Sequence, residues 1–226
     1  MRFKEQQLKA TWLPAESEKL RTKDQAKDPR VHARKKKKKM MSEQKIVLIR
    51  HGQTEWNKAG RLHGRSDLPM NDTGVRQAQQ LAMDLSMQGP WAAVYSSPLF
   101  RALQTAQIIA NGIGTRALYE NPELMEQDFG DWEGKLVGHP ADEQRQLNIG
   151  TGETEQHLVE RAVNALFKIC QQHPGENVLV VSHGALISSV LSALTGEADP
   201  RVANGTYREL DSQLLKNYVS REPLWH

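Results

Sequence analysis

Two short apolar runs limit the fold more than any other feature of this chain. Residues 46–49 read Ile-Val-Leu-Ile, and residues 178–181 read Val-Leu-Val-Val. Neither alternates with polar residues, and both are rich in β-branched side chains. That is the pattern of a strand buried on both faces, which occurs where helices cover a sheet on two sides. The segments between the runs supply those helices. One is expected to begin at Thr73, with Val75, Ala78, Leu81, Ala82 and Leu85 at helical spacing, and to stop at Gly89-Pro90. A second is expected over 98–110, with Ser97 as its N-cap and Pro98 at its first position. A long helix is expected over 153–172 and another over 184–195. Further strands are expected at 91–95, 115–119 and, more weakly, 206–210; residues 53–71 read as loop. Strands alternating with helices specify an α/β fold, a three-layer α/β/α sandwich around a mostly parallel sheet.

Composition narrows the class of protein. The 226 residues suit one α/β domain with a tail. No apolar stretch approaches the roughly 20 residues of a membrane span, and no apolar core follows the basic N-terminus as in a secretory signal. One cysteine, Cys170, leaves no disulfide framework and no multi-cysteine metal cluster, so a cytoplasmic setting is expected. Its place on the apolar side of a helix marks it as core rather than nucleophile. The net charge of +3 hides an asymmetry. Residues 1–44 hold 14 Lys+Arg against 6 Asp+Glu, whereas residues 45–226 hold 16 against 21. Residues 1–44 therefore read as a basic, disordered leader, and residues 45–226 as the catalytic domain. Met40 and Met41 also offer a start just before the first strand. The lysine run at 35–39 has no interleaved aromatic residues and no reading motif, so neither nucleic acid nor a membrane is expected as a partner. A homodimer stays open.

The chemistry is expected where the strands end. In open α/β sheets ligands bind at the carboxyl ends of the strands. The run at 46–49 is followed by Arg50-His51-Gly52, and that at 178–181 by Ser182-His183-Gly184. If the two strands are neighbours, His51 and His183 face one another. Arg101 falls in the first turn of a helix, whose N-terminus already favours anions. Arg50, Arg101, His51 and His183 together form a positive cluster whose natural partner is a phosphate dianion. No His-x-His or His-x-x-x-His pair is present, and adjacent arginines repel a cation, so no metal and no other cofactor is expected. Cleaving a phosphate ester needs an acid for the leaving group. Glu123, Glu126, Asp128, Asp131 and Glu133 are all available, and composition does not choose among them.

Longer motifs carry a resemblance. Arg50-His51-Gly52-Gln53-Thr54-Glu55-Trp56-Asn57, continuing through Arg61-Leu62-His63-Gly64, resembles the signature of the histidine phosphatase superfamily, the phosphoglycerate mutase-like group. Ser96-Ser97-Pro98-Leu99-Phe100-Arg101, Leu124-Met125-Glu126, Gly152-Glu153-Thr154 and Val181-Ser182-His183-Gly184 follow in the order of that family. The resemblance implies a phosphoglycerate mutase-like fold. It makes His51 a nucleophile that becomes phosphohistidine, with Arg50, Arg101 and His183 binding the phosphoryl oxygens. Glu126 becomes the acid and then the base, while Asn57, His63, Gly64 and Gly184 contact phosphate or substrate. The implied partner is a small phosphorylated metabolite. Only 26 positions separate Glu126 from Gly152, with Lys135 and Arg145 as the sole cations between them. That is short and acidic for a mutase, which favours a phosphatase. The alternatives are a bisphosphoglycerate-dependent mutase, a ribazole phosphate phosphatase and a non-catalytic phosphate-binding module.

Overall fold

The computed structural model describes residues 44–136, 151–199 and 201–221. The basic leader and most of the stretch between Lys135 and Gly152 lie outside the described residues. Within them the order is β1 (Lys45–Arg50), α1 (Glu55–Lys58), α2 (Asp72–Ser86), β2 (Ala93–Ser96), α3 (Phe100–Gly112), β3 (Leu118–Glu120), α4 (Glu155–Gln172), β4 (Val178–Ser182), α5 (Gly184–Thr195), β5 (Tyr207–Asp211) and α6 (Ser212–Arg221). Two 3₁₀ turns, Pro122–Leu124 and Gly130–Trp132, fall between β3 and α4.

The five strands form one sheet in the order β3-β2-β4-β1-β5. All neighbours are parallel except β5, which runs antiparallel to β1. The two apolar runs are the central pair, β1 and β4, and every side chain of both runs is fully buried. Alternation splits them between two cores, because successive strand residues point to opposite faces. Ile46, Leu48, Val178 and Val180 pack with Leu158, Leu166 and Ile169 of α4 and Leu186 and Val190 of α5. Val47, Ile49, Leu179 and Val181 pack with Leu81 and Leu85 of α2 and Ala102, Ala106 and Ile109 of α3. Three layers result, as the patterning implied. Each buried aliphatic side chain contributes roughly 1.5–3 kcal/mol. Cys170 lies in the first of these cores, and its thiol donates to the Gln44 side chain at 2.9 Å.

Several elements differ from the sequence reading, each for a local reason. Residues 53–71 are not all loop: Thr54 and Asn57 cap each other reciprocally and nucleate α1. The α2 helix starts one residue early because the Asn71 side chain accepts from Gly74 N–H. The α3 helix starts at Phe100, two residues after Pro98, and Ser97 does not cap it. The Ser97 hydroxyl is instead engaged by a histidine of the site described below. The chain beyond β5 folds into α6, whose Leu215, Tyr218 and Val219 join the first core.

The turn after β1 is pressed against the start of α2. A side chain added at Gly52 would collide with the Gly74 carbonyl and sit 2.6 Å from the Met70 sulfur. One added at Gly74 would collide with the Gln53 backbone. Overpacking of this kind costs roughly 1–3 kcal/mol. Gly74→Ala is expected to lower the unfolding free energy by about that amount in urea titration. An unchanged midpoint would show that the turn moves aside freely.

Candidate active site

Because β1 and β4 pair in parallel register, Arg50 lies opposite Ser182, and His51 and His183 leave the sheet side by side. The His51 backbone N–H donates to the Ser182 carbonyl at 3.1 Å. The two imidazole centroids are 5.2 Å apart. His51 Nδ1 is 2.7 Å from the Gly52 carbonyl, which can only accept, so Nδ1 carries the proton. Nε2 accepts from Arg101 Nε at 3.2 Å. The hydrogen-bond partners thus select the neutral tautomer with a lone pair on Nε2.

Arg101 is fully buried. Its terminal nitrogens donate to the Ser66 carbonyl at 2.8 Å and the Gly64 carbonyl at 2.7 Å. Those bonds aim Nε at His51. Arg50 donates to the Val202 carbonyl at 2.7 Å, while its Nε is buried without a hydrogen-bond partner. A side chain on Gly184 would sit 3.1 Å from that guanidinium, so glycine leaves room for it. His183 pairs through Nε2 with the Ser97 hydroxyl at 2.8 Å, and its Nδ1 is buried and unpaired. Orphaned polar groups are costly unless a ligand completes them.

Electrostatics agree with the geometry. Burial, then the Arg101 and Arg50 guanidinium groups, hold both His51 and His183 well below the ordinary histidine value. Burial and Arg101 likewise lower His63 to about 4. Burial also brings Arg101 down to about 10, which leaves it a cation at neutral pH. A dry cluster of fixed cations and neutral imidazoles is an anion site.

The carboxylate at this site is Glu126, which is buried. It accepts from the Ala185 N–H at 3.2 Å and the Leu186 N–H at 3.0 Å, at the open N-terminus of α5. Of the five acidic candidates, Glu126 alone lines the cavity of about 270 Å³ beside His51. Glu133 instead binds the loop at Arg65 and Ser66.

Arg50, His51, Asn57, His63 and Gly184 also line the cavity. Three site residues read from the sequence do not. Arg101 and His183 are fully buried beside His51, and the Gly64 carbonyl accepts from Arg101. Residues given no role in the sequence reading complete the wall, including Arg61, Leu62, Phe129, Arg201 and Asn204. Asn204 donates to the His51 carbonyl at 3.1 Å and to the Asn57 side chain at 3.0 Å. Its loop reaches the site because β5 is antiparallel, so the start of β5 meets the end of β1. Among the described residues, no group of three or more His, Cys, Asp or Glu is arranged to hold a metal ion. Nor is any helix among them long and apolar enough to cross a membrane.

The family description "histidine phosphatase superfamily (branch 1)" matches residues 46–210. A metal-independent phosphoserine phosphatase of Arabidopsis thaliana is 36% identical over 162 residues, covering 66% of this chain and 68% of the relative. An uncharacterized phosphatase, PhoE, of Bacillus subtilis (strain 168) is 32% identical over 180 residues, covering 80% and 90%. Among solved structures, a phosphoserine phosphatase from Entamoeba histolytica in complex with 3-phosphoglyceric acid superposes with a TM-score of 0.64. It is 29% identical, with 74% of this chain and 89% of that one covered.

The buried histidines tie stability to pH. Below pH 6.5 the unfolded chain takes up protons at His51, His63 and His183 that the folded chain refuses. Their contribution is therefore complete above 6.5 and lost as pH falls toward the folded values, about 4 for His63. Urea titrations are therefore expected to give a lower midpoint at pH 5 than at pH 7. Equal stability at the two pH values would contradict the depressed histidines.

Proposed function

The chain belongs to the histidine phosphatase superfamily, and on that footing we propose that it hydrolyses small phosphate monoesters, without metal, through a phosphohistidine on His51. The observation that carries this reading is the His51 ring itself. It is held neutral with its Nε2 lone pair free of a proton, between two arginines, on a cavity whose carboxylate is Glu126.

The chemistry follows from the atoms. The Nε2 lone pair attacks phosphorus while the ester P–O bond breaks. The leaving oxygen takes a proton from Glu126. The ring becomes cationic, and the Nδ1–H bond to the Gly52 carbonyl strengthens with that charge. Arg101 Nε–H keeps its proton and switches its hydrogen bond from Nε2 to a phosphoryl oxygen, a donor already in place before the substrate arrives. Arg50 Nε and His183 Nδ1, unpaired at rest, complete the oxygen contacts. The Glu126 carboxylate then takes a proton from water, and that water attacks phosphorus. The P–N bond breaks, the electron pair returns to Nε2, and phosphate leaves.

A cavity of about 270 Å³ suits a small metabolite. Arg61 and Arg201 add two cations to the wall beyond those used on the phosphoryl group. They favour a substrate with a second acidic group, such as a phosphorylated hydroxy or amino acid. The Arabidopsis and Entamoeba relatives named for phosphoserine agree with that class. Relatives named as probable phosphoglycerate mutases match at similar identity, so the preference for a phosphatase rests on the short, acidic stretch between Glu126 and Gly152.

Phosphate release from p-nitrophenyl phosphate is expected to persist in excess chelator and to fall by roughly 1000-fold or more in His51→Ala. Activity that needs added metal, or that survives in His51→Ala, would sink the reading. Arg201→Met is expected to raise KM for phosphoserine about tenfold or more, while leaving KM for an uncharged alkyl phosphate unchanged. An equal effect on both esters would remove the second acidic group from the substrate.

A further inference from the structure

Glu126 sits on a segment with almost no regular structure, between the turn at Pro122–Leu124 and the turn at Gly130–Trp132. An acid that must meet a leaving oxygen needs a defined position to within about 0.5 Å. The Glu126 carboxylate is fixed at one end by α5. What fixes its backbone lies on a different element.

Arg161 projects from α4 and is buried. One terminal nitrogen donates to the Glu123 carbonyl at 2.6 Å. The other donates to the Met125 carbonyl at 2.7 Å and the Glu126 carbonyl at 3.1 Å. The guanidinium therefore gathers three carbonyls from four consecutive residues around the acid. Glu153, just before α4, holds the guanidinium from the other side. Its carboxylate accepts from Arg161 Nε at 2.6 Å and from the second terminal nitrogen at 2.9 Å, a bidentate pair. Glu153 also binds the acid segment directly. Its N–H donates to the Asp128 carbonyl at 2.8 Å, and its carbonyl accepts from the Gln127 side chain at 2.9 Å. His157 at 2.7 Å, the Asp128 N–H at 3.4 Å and Arg65 at 3.7 Å also surround its carboxylate.

Neither Arg161 nor Glu153 lines the cavity. A buried ion pair is a poor device for stability alone, because desolvation offsets the attraction. Here the pair spends its donors on the one loop that carries the acid. We propose that Arg161 and Glu153 are positioning residues for Glu126, a clamp that sets the geometry of proton delivery to the leaving group. This rests on the reading of Glu126 as the acid.

The leaving group provides the test. Nitrophenolate departs without a proton, whereas an alkoxide needs one. kcat/KM reports only the steps up to loss of the leaving group, so it isolates proton delivery. It would be measured for p-nitrophenyl phosphate and for a simple alkyl phosphate in wild type, Arg161→Lys, Arg161→Met, Glu153→Gln and Glu126→Gln. Glu126→Gln is expected to lower the alkyl ester about 100-fold or more and the nitrophenyl ester less than about tenfold. Glu153→Gln keeps the shape of the side chain, and Arg161→Lys keeps the charge but loses the fork. Both are expected to discriminate in the same direction, with a smaller gap in Arg161→Lys than in Arg161→Met. If Glu126→Gln treats the two esters alike, the acid reading itself fails. If Glu126→Gln discriminates while Arg161→Lys and Glu153→Gln lower both esters equally or neither, the positioning role is overturned.

Discussion

Everything at this site depends on the parallel pairing of β1 with β4. Two strands with fully buried apolar runs end at the same level, and each hands the chain to a histidine followed by glycine. A slip of one residue in that register would turn every core side chain to the wrong layer. The same slip would move His51 away from His183. The interaction that builds the hydrophobic core therefore also sets the distance between the two imidazoles, 5.2 Å. Fold and site cannot vary independently here, because one row of backbone hydrogen bonds determines both.

The site itself opposes folding. Two arginines and two uncharged histidines are packed at the ends of apolar strands, and burial pushes the pKa of each downward. The chain meets part of that cost by giving Arg101 two carbonyls and Arg50 one. It leaves Arg50 Nε and His183 Nδ1 unpaired. In the proposed reaction a phosphoryl group would supply what both lack, which is the physical sense of a site arranged for the transition state rather than for the resting chain.

Much of this was legible in the sequence, and what was not has definable causes. The unbroken apolar runs named the central strands, and Arg50-His51-Gly52 with Ser182-His183-Gly184 named the facing histidines. The choice of Glu126 over Glu123, Asp128, Asp131 and Glu133 was not open to composition. It needs α5, whose first N–H groups lie about 60 residues further along the chain. The resemblance to the family pointed to Glu126, which is also the one of the five that lines the cavity. Asn204 and Arg201 were missed because they enter the wall only through the antiparallel direction of β5, which no local pattern reveals. Ser97 looked like a helix cap, yet its hydroxyl serves His183. Gly64, read as a ligand contact, also anchors Arg101 through its carbonyl.

The central claim is that phosphorus passes through His51 before it meets water. The stereochemical course at phosphorus tests it most directly, since it does not require the intermediate to accumulate. A phosphorothioate monoester made chiral with oxygen isotopes would be hydrolysed by the wild-type protein and the configuration of the product determined. Two successive in-line displacements, first by His51 and then by water, predict net retention. Net inversion would mean that water attacks the substrate directly, and the phosphohistidine account would be wrong.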